Sequence, residues 1–180
     1  MSKPAFPQGI TKPQMDFRHA QISDIPLMME IIRDAQASLR SQGVDQWQNG
    51  YPNEEQLQKD IHQQGSYVLT RDGVPIAIMA LLPGPDPTYA VIDGAWLTAG
   101  AYYVIHRLAV SSLFMGVGTA ARMLSEAEAI CHREGIPALR VDTHHDNKPM
   151  QRFLAKGGFT PCGNIRLADG SPRIAFEKML

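Results

Sequence analysis

The chain has few of the features that mark secreted, membrane-bound or nucleic-acid-binding proteins. Cys131 and Cys162 are its two cysteines among 180 residues, which excludes a disulfide-dense scaffold and indicates a reducing compartment. Its 17 Lys and Arg residues are matched by 18 Asp and Glu residues, so no basic field favours nucleic acid. No apolar run approaches the roughly 20 residues that cross a bilayer, and residues 1–14 lack the apolar core of a secretory signal. We therefore expect a cytoplasmic protein without nucleic-acid or membrane partners.

The composition is that of a folded globular protein. Apolar residues make up 44% and charged residues 19%, so the chain has enough apolar surface to form a core. A length of 180 residues suits one domain better than two. We expect one domain over residues 1–180, with residues 1–13 as an arm on its surface.

Hydrophobic periodicity and turn residues predict a series of strands and helices. The strands are expected at Met15–Ala20, Tyr67–Thr70, Val74–Leu82, Tyr102–Val110, Ala138–Thr143, Phe159–Arg166 and Arg173–Lys178. The helices are expected at Ser23–Arg40 with Ser23 as N-cap, and at Glu54–Gln63, Gly116–Arg133 and Asn147–Lys156. This order predicts an α+β fold in which a mixed sheet carries helices on its faces. The first half of the sheet should be antiparallel, and Tyr102–Thr143 should form a right-handed parallel crossover.

The most informative segment joins the strand at Tyr102–Val110 to the helix at Gly116–Arg133. Gly116 and Gly118 let the backbone turn tightly and approach a ligand without a Cβ in the way. Amides that open a helix lack intrahelical acceptors and lie at the positive end of its dipole, which suits a pyrophosphate. A tight turn without a ligand explains the two glycines equally well. The full motifs of P-loop and dinucleotide sites are absent.

A second segment indicates which protein family carries this turn. Asn147 opens a short predicted helix that ends at Gly157–Phe159, after the stretch Asp142–His144. Together with the His106–Val110 strand and the glycine turn, this pattern resembles the GNAT superfamily of acetyl-CoA-dependent N-acetyltransferases. The resemblance extends from the first strand to the end of the chain.

The resemblance implies acetyl-CoA as co-substrate and indicates where it binds. Backbone groups of Leu108–Val110 would meet the pantetheine arm where two strands splay apart, often at a bulge. Amides of Leu113–Thr119 would hold the pyrophosphate, and the helix after Asn147 would lie along the other side. The residues implied in coenzyme binding are Leu108, Ala109, Val110, Leu113, Phe114, Met115, Gly116, Val117, Gly118, Thr119, Asn147, Met150, Phe153 and Leu154.

The sequence departs from the family pattern in two places. Leu113 stands where Gln or Arg usually opens the turn, and Phe114 follows where glycine is common. Leu154 replaces a tyrosine that often protonates the leaving thiolate, so a general acid must lie elsewhere or the thiolate leaves unassisted. A free thiol pKa of about 8.5 permits unassisted departure.

Histidines supply the candidate proton acceptors. An alkylammonium must lose a proton before it attacks, and with a pKa of about 10.4 only about one in a thousand is neutral at pH 7. Strand alternation places His106 on the side of Leu108 and Val110, which favours it as the base. A structural strand histidine fits the same position equally well. His144 is the second candidate, and Asp142 could orient a neighbouring group.

Three aromatic side chains are candidates for the acceptor site. Gln46-Trp47 and Tyr51-Pro52 follow the first helix and resemble a bacterial group of the family. That region covers the acceptor in the family, so Trp47 and Tyr51 would form an aromatic wall for a cationic amine. Tyr103, on a predicted strand, is the third candidate for substrate binding. A hydrophobic plug over the core is the alternative for these side chains.

The resemblance favours an N-acetyltransferase that moves the acetyl group directly to a primary amine of a small molecule or peptide. No Ser or Cys has the surroundings of a nucleophile, so no covalent enzyme intermediate is expected. A non-catalytic acyl-CoA-binding sensor is the alternative, and Leu154 keeps it open. A protein or ribosomal N-terminal acetyltransferase is a more remote one, because no acidic run provides a peptide groove.

Two further expectations concern metal and assembly. The spacing of His106, Asp142, His144 and His145 matches no common zinc pattern, and no cysteine pair supports one, so no metal is expected. A homodimer is expected by family analogy.

Overall fold

The computed structural model describes residues 12–180, in which one mixed sheet of eight strands is flanked by four helices. The strands are β1 (Met15–His19), β2 (Ser66–Arg71), β3 (Val74–Pro83), β4 (Asp93–Gly94), β5 (Tyr103–Val110), β6 (Ala138–Thr143), β7 (Thr160–Arg166) and β8 (Pro172–Met179). The helices are α1 (Ile25–Ser41), α2 (Glu54–His62), α3 (Thr119–Glu134) and α4 (Lys148–Lys156). Residues 1–11 of the expected arm lie outside the described residues.

The strand order is β1-β2-β3-β5-β6-β8-β7-β4. The first four strands in this order pair antiparallel, and β5 pairs parallel with β6 through the connection α3, as the sequence predicts. Parallel pairing covers only Tyr103 with Leu139 and Val104 with Arg140. The two strands therefore part beyond Val104, and the rest of β5 has a free edge on that side.

The start of α1 differs from the prediction. Ser23 lies in a 3₁₀ turn, Ile22–Asp24, and the helix begins one residue after Asp24. The carboxylate of Asp24 accepts the Gln21 backbone N–H at 2.8 Å and pairs with Arg18 at 2.7 Å. These bonds fix Asp24 ahead of the helix, so the chain tightens there before the α-helical pattern starts.

The short strand β4 is not predicted from the sequence. Its two residues, Asp93 and Gly94, pair with Asn164 and Gly163 at the edge of the sheet. The backbones approach so closely that a Cβ on Gly94 would lie 2.1 Å from the Cys162 carbonyl oxygen. Two residues are too few for any hydrophobic alternation, so the pairing depends on the approach of the neighbouring strand.

A bulge interrupts β5 at Arg107, whose φ is +55°. His106 pairs with Ala80 and Ala109 pairs with Ile78, so two residues of β5 lie opposite Met79 alone. The extra residue reverses the alternation of side chains. His106 therefore lies on the sheet face of Ala109, and the expectation that it shares a side with Leu108 and Val110 is wrong.

Two cores cover the two faces of the sheet. One packs α3 against β3, β5 and β6 through residues such as Met79, Met123 and Leu139, each at most 1% exposed. The other packs α1 and α2 against Ile78 and Ala109. The helices thus cover both faces, as predicted, and no described helix is both long and apolar enough to span a bilayer.

Candidate active site

A cleft of about 1520 Å³ opens where β5 and β6 part. It is lined by the loop between α1 and α2, the turn before α3, the first residues of α4 and the hairpin between β7 and β8. The free edge of β5 runs along it, with Leu108, Ala109 and Val110 all in its wall. Because the sheet itself opens here, backbone groups as well as side chains face the cleft.

The glycine turn lies at one end of the cleft. Gly116 and Gly118 have φ of +76° and +89°, and no other atom comes within 4 Å of where their Cβ atoms would lie. The first intrahelical bond of α3 joins the Arg122 N–H to the Gly118 carbonyl at 2.9 Å. The N–H groups of Thr119, Ala120 and Ala121 come before the residue that donates this first bond. They therefore remain free to donate at the positive end of the helix.

The side chains of the turn contribute little polarity. Leu113 and Val117 are 85% and 74% exposed and do not line the cleft, whereas Phe114 and Met115 do. The Thr119 hydroxyl donates to the Phe114 carbonyl at 2.9 Å and so closes the turn on itself. An anion at this end would therefore be held by backbone N–H groups, as in other helix N-terminal anion sites.

His106 and Asp86 form a pair that faces the cleft further along. His106 Nε2 lies 3.1 Å from Asp86 Oδ2, and both side chains are about one-fifth exposed, at 22% and 20%. The pKa of Asp86 is lowered, first by its hydrogen bond to His106 and then by the bond from the Thr88 N–H. Asp86 is therefore ionised at neutral pH and can hold the imidazole in one orientation.

The loop that carries Asp86 is anchored on both sides. The Asp86 N–H donates to the Tyr102 hydroxyl at 3.0 Å. Further along the loop, the Thr98 hydroxyl donates to Glu177 at 2.6 Å, and Glu177 pairs with Arg140 at 3.0 Å. The Arg140 guanidinium also lies 3.8 Å from the centre of the Tyr102 ring. These contacts keep Asp86 in place beside His106.

A second buried pair lies next to His106. Tyr89 donates its hydroxyl proton to Asp142 Oδ1 at 2.7 Å, and the rings of Tyr89 and His106 are 6.4 Å apart. Burial raises the pKa of Tyr89 well above its ordinary value and also raises the pKa of Asp142. The tyrosine thus stays protonated, and Asp142 orients Tyr89 rather than a histidine.

The bulge residue Arg107 lines the cleft and ties β5 to α2. Its Nη2 donates to Asp60 Oδ1 at 2.8 Å, and its Nε lies 2.6 Å from Asp60 Oδ2. Its Nη1 donates to the Tyr51 hydroxyl at 2.6 Å. The ion pair is buried, with side-chain exposures of 6% and 1%, so it fixes both the bulge and the aromatic ring of Tyr51.

Gln46 joins the two sides of the cleft. Its Oε1 accepts the Asn147 side-chain amide at 3.0 Å and lies 3.4 Å from the His144 backbone N–H. The Asn147 Oδ1 accepts the Met150 N–H at 3.1 Å, which caps α4. Both the nitrogen and the oxygen of the Asn147 side chain thus have a partner in the protein, and Gln46 holds the loop after α1 against the start of α4.

The resemblance found in the sequence is matched by comparison with known proteins. A model of the Acetyltransferase (GNAT) family matches residues 29–159, which is more than half of the chain. This chain belongs to the GNAT acetyltransferase family.

Similar proteins agree with that assignment and support acyltransferase activity for this GNAT protein. An uncharacterized N-acetyltransferase, YesJ of Bacillus subtilis, is 30% identical over 142 residues, which cover 78% of this chain and 76% of YesJ. A GNAT-family acetyltransferase from Streptococcus agalactiae is 32% identical, with a TM-score of 0.81 over 92% of this chain and 95% of that one. The PaiA N-acetyltransferase of Thermoplasma acidophilum, solved in complex with coenzyme A, has a TM-score of 0.66 over 93% and 99% at 17% identity.

Most of the predicted site residues of this acetyltransferase meet in the cleft. The predicted residues that line it are Trp47, Tyr51, His106, Leu108, Ala109, Val110, Phe114, Met115, Gly116, Gly118, Thr119, Asn147, Met150 and Phe153. They come from distant parts of the chain, and their convergence supports treating the cleft as one site.

Five predicted residues lie elsewhere. Tyr103 packs on the α3 face and donates its hydroxyl proton to Glu134, outside the cleft. Leu154 is 1% exposed within the core, and Leu113 and Val117 face solvent. His144 lies just outside the lining, where burial lowers its pKa and its Nδ1 accepts the Asp146 N–H at 3.1 Å.

Other cleft residues of the acetyltransferase were missed by sequence reasoning. Asp86 stands between Pro85 and Pro87 in a loop, and this placement of an acid between two prolines is the local signal that could have indicated it. Asp60 and Arg173 also line the cleft, but each lies within an ordinary amphipathic element and carries no motif. Within residues 12–180, no three His, Cys, Asp or Glu side chains group as a candidate metal site.

Proposed function

We propose that this enzyme transfers the acetyl group of acetyl-CoA directly to a primary amine of a small molecule or peptide. One observation carries the proposal: the glycine turn with its free amides and the His106–Asp86 pair open into the same cleft. The first provides donors for a diphosphate and the second a proton acceptor. Direct transfer uses both, because the coenzyme must be held in place and the acceptor ammonium must lose a proton.

The donor set suits coenzyme A. The amides from Met115 to Thr119 and the first turn of α3 would hold its pyrophosphate, and the Leu108–Val110 edge would meet its pantetheine arm. The open space around the Gly116 and Gly118 Cα atoms lets a ligand approach the backbone closely. When bound, acetyl-CoA supplies an acetyl group activated as a thioester.

His106 is proposed to take the proton of the acceptor ammonium. If its Nε2–H donates to Asp86, Nδ1 carries the free lone pair that can take the proton. The ionised Asp86 then stabilises the imidazolium that forms. His144 remains the second candidate: burial lowers its pKa, and its Nδ1 could take a proton once it releases the Asp146 N–H.

No protein acid is required for the leaving group in this proposal. Leu154, where a family tyrosine often lies, is 1% exposed and cannot donate a proton. Coenzyme A can depart as a thiolate, because a free thiol has a pKa of about 8.5. The rate should then depend on deprotonation of the amine more than on protonation of the sulfur.

The catalytic part of the proposal is tested by release of free thiol from acetyl-CoA with a panel of amines and peptides. His106→Gln should lower kcat/KM about 100-fold to 10,000-fold, and Asp86→Asn should lower it by a smaller factor. His132→Gln, an exposed histidine at the end of α3, is the matched control and should keep wild-type activity. Full activity in His106→Gln would reject His106 as the base.

The coenzyme part is tested separately by calorimetry with coenzyme A. Gly118→Ala should weaken binding about tenfold or more, because its Cβ would enter the space that the ligand needs. Gly43→Ala is the control, since Gly43 has a φ of +70° and the same empty surroundings but lies outside the cleft. Equal coenzyme affinity in the two variants would contradict the pyrophosphate assignment.

A non-catalytic acyl-CoA sensor is the alternative that Leu154 favours. It predicts tight coenzyme A binding and no thiol release with any acceptor, whereas the transferase predicts turnover with at least one. Cytoplasmic location, action as a single domain and a homodimer stay predictions, and light scattering after size-exclusion chromatography measures the last of these.

A further inference from the structure

Arg173, the second residue of β8, lies in the cleft and forms no ion pair with another residue of the range 12–180. Its residue surface is 7% exposed, yet among residues 12–180 no carboxylate oxygen lies within 4.0 Å of its guanidinium. Its one hydrogen bond within these residues runs from Nη1 to the Pro172 carbonyl at 2.9 Å. Most of its five donors are thus uncommitted.

The other two buried arginines of the described chain are matched to acids. Arg107 pairs with Asp60 and Arg140 pairs with Glu177, each between side chains at most 6% exposed. Burying a guanidinium without a partner is costly, so proteins rarely do so. The free nitrogens of Arg173 are not among the described side-chain atoms that are both fully buried and without a hydrogen bond, so they keep some access. Because Arg173 lines the cleft, a ligand there can reach them.

Arg173 lies beside the end of β6 that leads to His144, because the next two residues of β8 pair with that end: Ile174 pairs with Thr143, and Ala175 pairs with Asp142. It is close enough to Asp142 and to His144 to influence the pKa of both groups, and His106 also influences Asp142. Asp142 accepts its hydrogen bond from Tyr89, so it is not the direct partner of either cation. Arg173 and His106 thus both lie near the Asp142 carboxylate.

We infer that Arg173 binds a carboxylate of the acceptor, so the substrate is a small amine that also carries a carboxylate. This inference rests on the proposed function, because it assigns the amine to His106 and the acid to Arg173. A guanidinium matches a carboxylate with two parallel hydrogen bonds, which fixes the orientation of the amine.

The charges of the surrounding wall agree with a singly charged anion. Four acids line this part of the cleft, namely Asp45, Asp86, Asp142 and Asp169. They favour the ammonium group of the acceptor and disfavour a dianionic phosphate. A zwitterion with one carboxylate satisfies both the arginine and the acids.

The test compares amino acids with their carboxamides as acceptors. The panel carries the amine at the α, γ or ε position, each acid is paired with its amide, and O-phosphoethanolamine represents the phosphate amines. We expect the wild-type enzyme to prefer at least one acid over its amide by about tenfold or more in kcat/KM. Arg173→Met should reduce that ratio to about one, while Arg173→Lys should keep part of it. Arg166→Met, an exposed arginine on the adjacent strand, should leave the ratio unchanged.

Binding measured without turnover separates this inference from the proposed function. Calorimetry with coenzyme A present should show that an acid binds to the wild type but not to Arg173→Met. Such binding without any thiol release would support the carboxylate site and reject the transferase. Turnover of amides as fast as acids, a preference for O-phosphoethanolamine, or an unchanged ratio in Arg173→Met would overturn the inference and leave the transferase intact. Absence of both binding and turnover for every acid would also overturn it.

Discussion

The ion pair between Arg107 and Asp60 allows a sharp test of how the bulge in β5 is held. Both side chains are buried, at 6% and 1% exposure, and Arg107 also donates to the Tyr51 hydroxyl at 2.6 Å. Arg107→Met removes the guanidinium but keeps the length of the side chain. The Asp60 carboxylate would then remain buried with no cation beside it.

The expected loss follows from that stranded charge. Removing one partner of a buried pair costs about 3–5 kcal/mol, because the remaining charge keeps its desolvation penalty. With a urea m-value of about 2 kcal/mol/M, the midpoint should fall by about 1.5–2.5 M. Arg107→Met combined with Asp60→Leu should recover much of this loss, because no uncompensated charge is left.

Urea unfolding at pH 7, followed by circular dichroism at 222 nm, measures these midpoints. Arg122→Met is the control, because Arg122 pairs with Glu126 on the exposed surface of α3 with 59% of its side chain accessible. That variant should lose about 0.5 kcal/mol or less. The reasoning is refuted if Arg107→Met is as stable as the control. It is also refuted if the double variant loses the sum of its two single losses.

Three other predictions concern stability and reactivity. Asp24→Asn should lower the free energy of unfolding by about 1 kcal/mol at pH 7. The pKa of Asp24 is lowered, chiefly by its bond to Arg18, so this carboxylate stabilises the fold above the unfolded pKa of about 3.9. The difference in urea midpoint between the variant and the wild type should therefore shrink as the pH falls below that value. Cys131 and Cys162 should not react with a disulfide reagent at pH 8 until urea unfolds the protein. Burial raises the pKa of Cys131 to about 12 and raises that of Cys162 above its ordinary value. Rapid reaction of the native protein would contradict the burial of these thiols. Gly163→Ala should lower the stability by about 2 kcal/mol or more in thermal unfolding. Gly163 has a φ of +142°, and a Cβ there would lie 2.2 Å from the Asp93 carbonyl oxygen. Wild-type stability of this variant would show that β4 is not packed this closely.

The sequence by itself determined the family, the order of most elements and one end of the cleft. Periodic apolar residues and glycine positions are local signals, so they located the helices and the turn at Gly116 and Gly118 to within a few residues. The parallel crossover followed from the strand–helix–strand order. These features depend on neighbours within one element, which is why they are legible without a structure.

The tertiary structure alone decided which side chains meet. The bulge at Arg107 moved His106 to the other face of the sheet, because one extra residue reverses all the alternation before it. Asp86 reaches His106 from a loop 20 residues away, held by contacts to Tyr102. That Arg173 donates only to the Pro172 carbonyl within residues 12–180 is likewise a property of three-dimensional packing. Such contacts join distant segments, and no local pattern of residues records them.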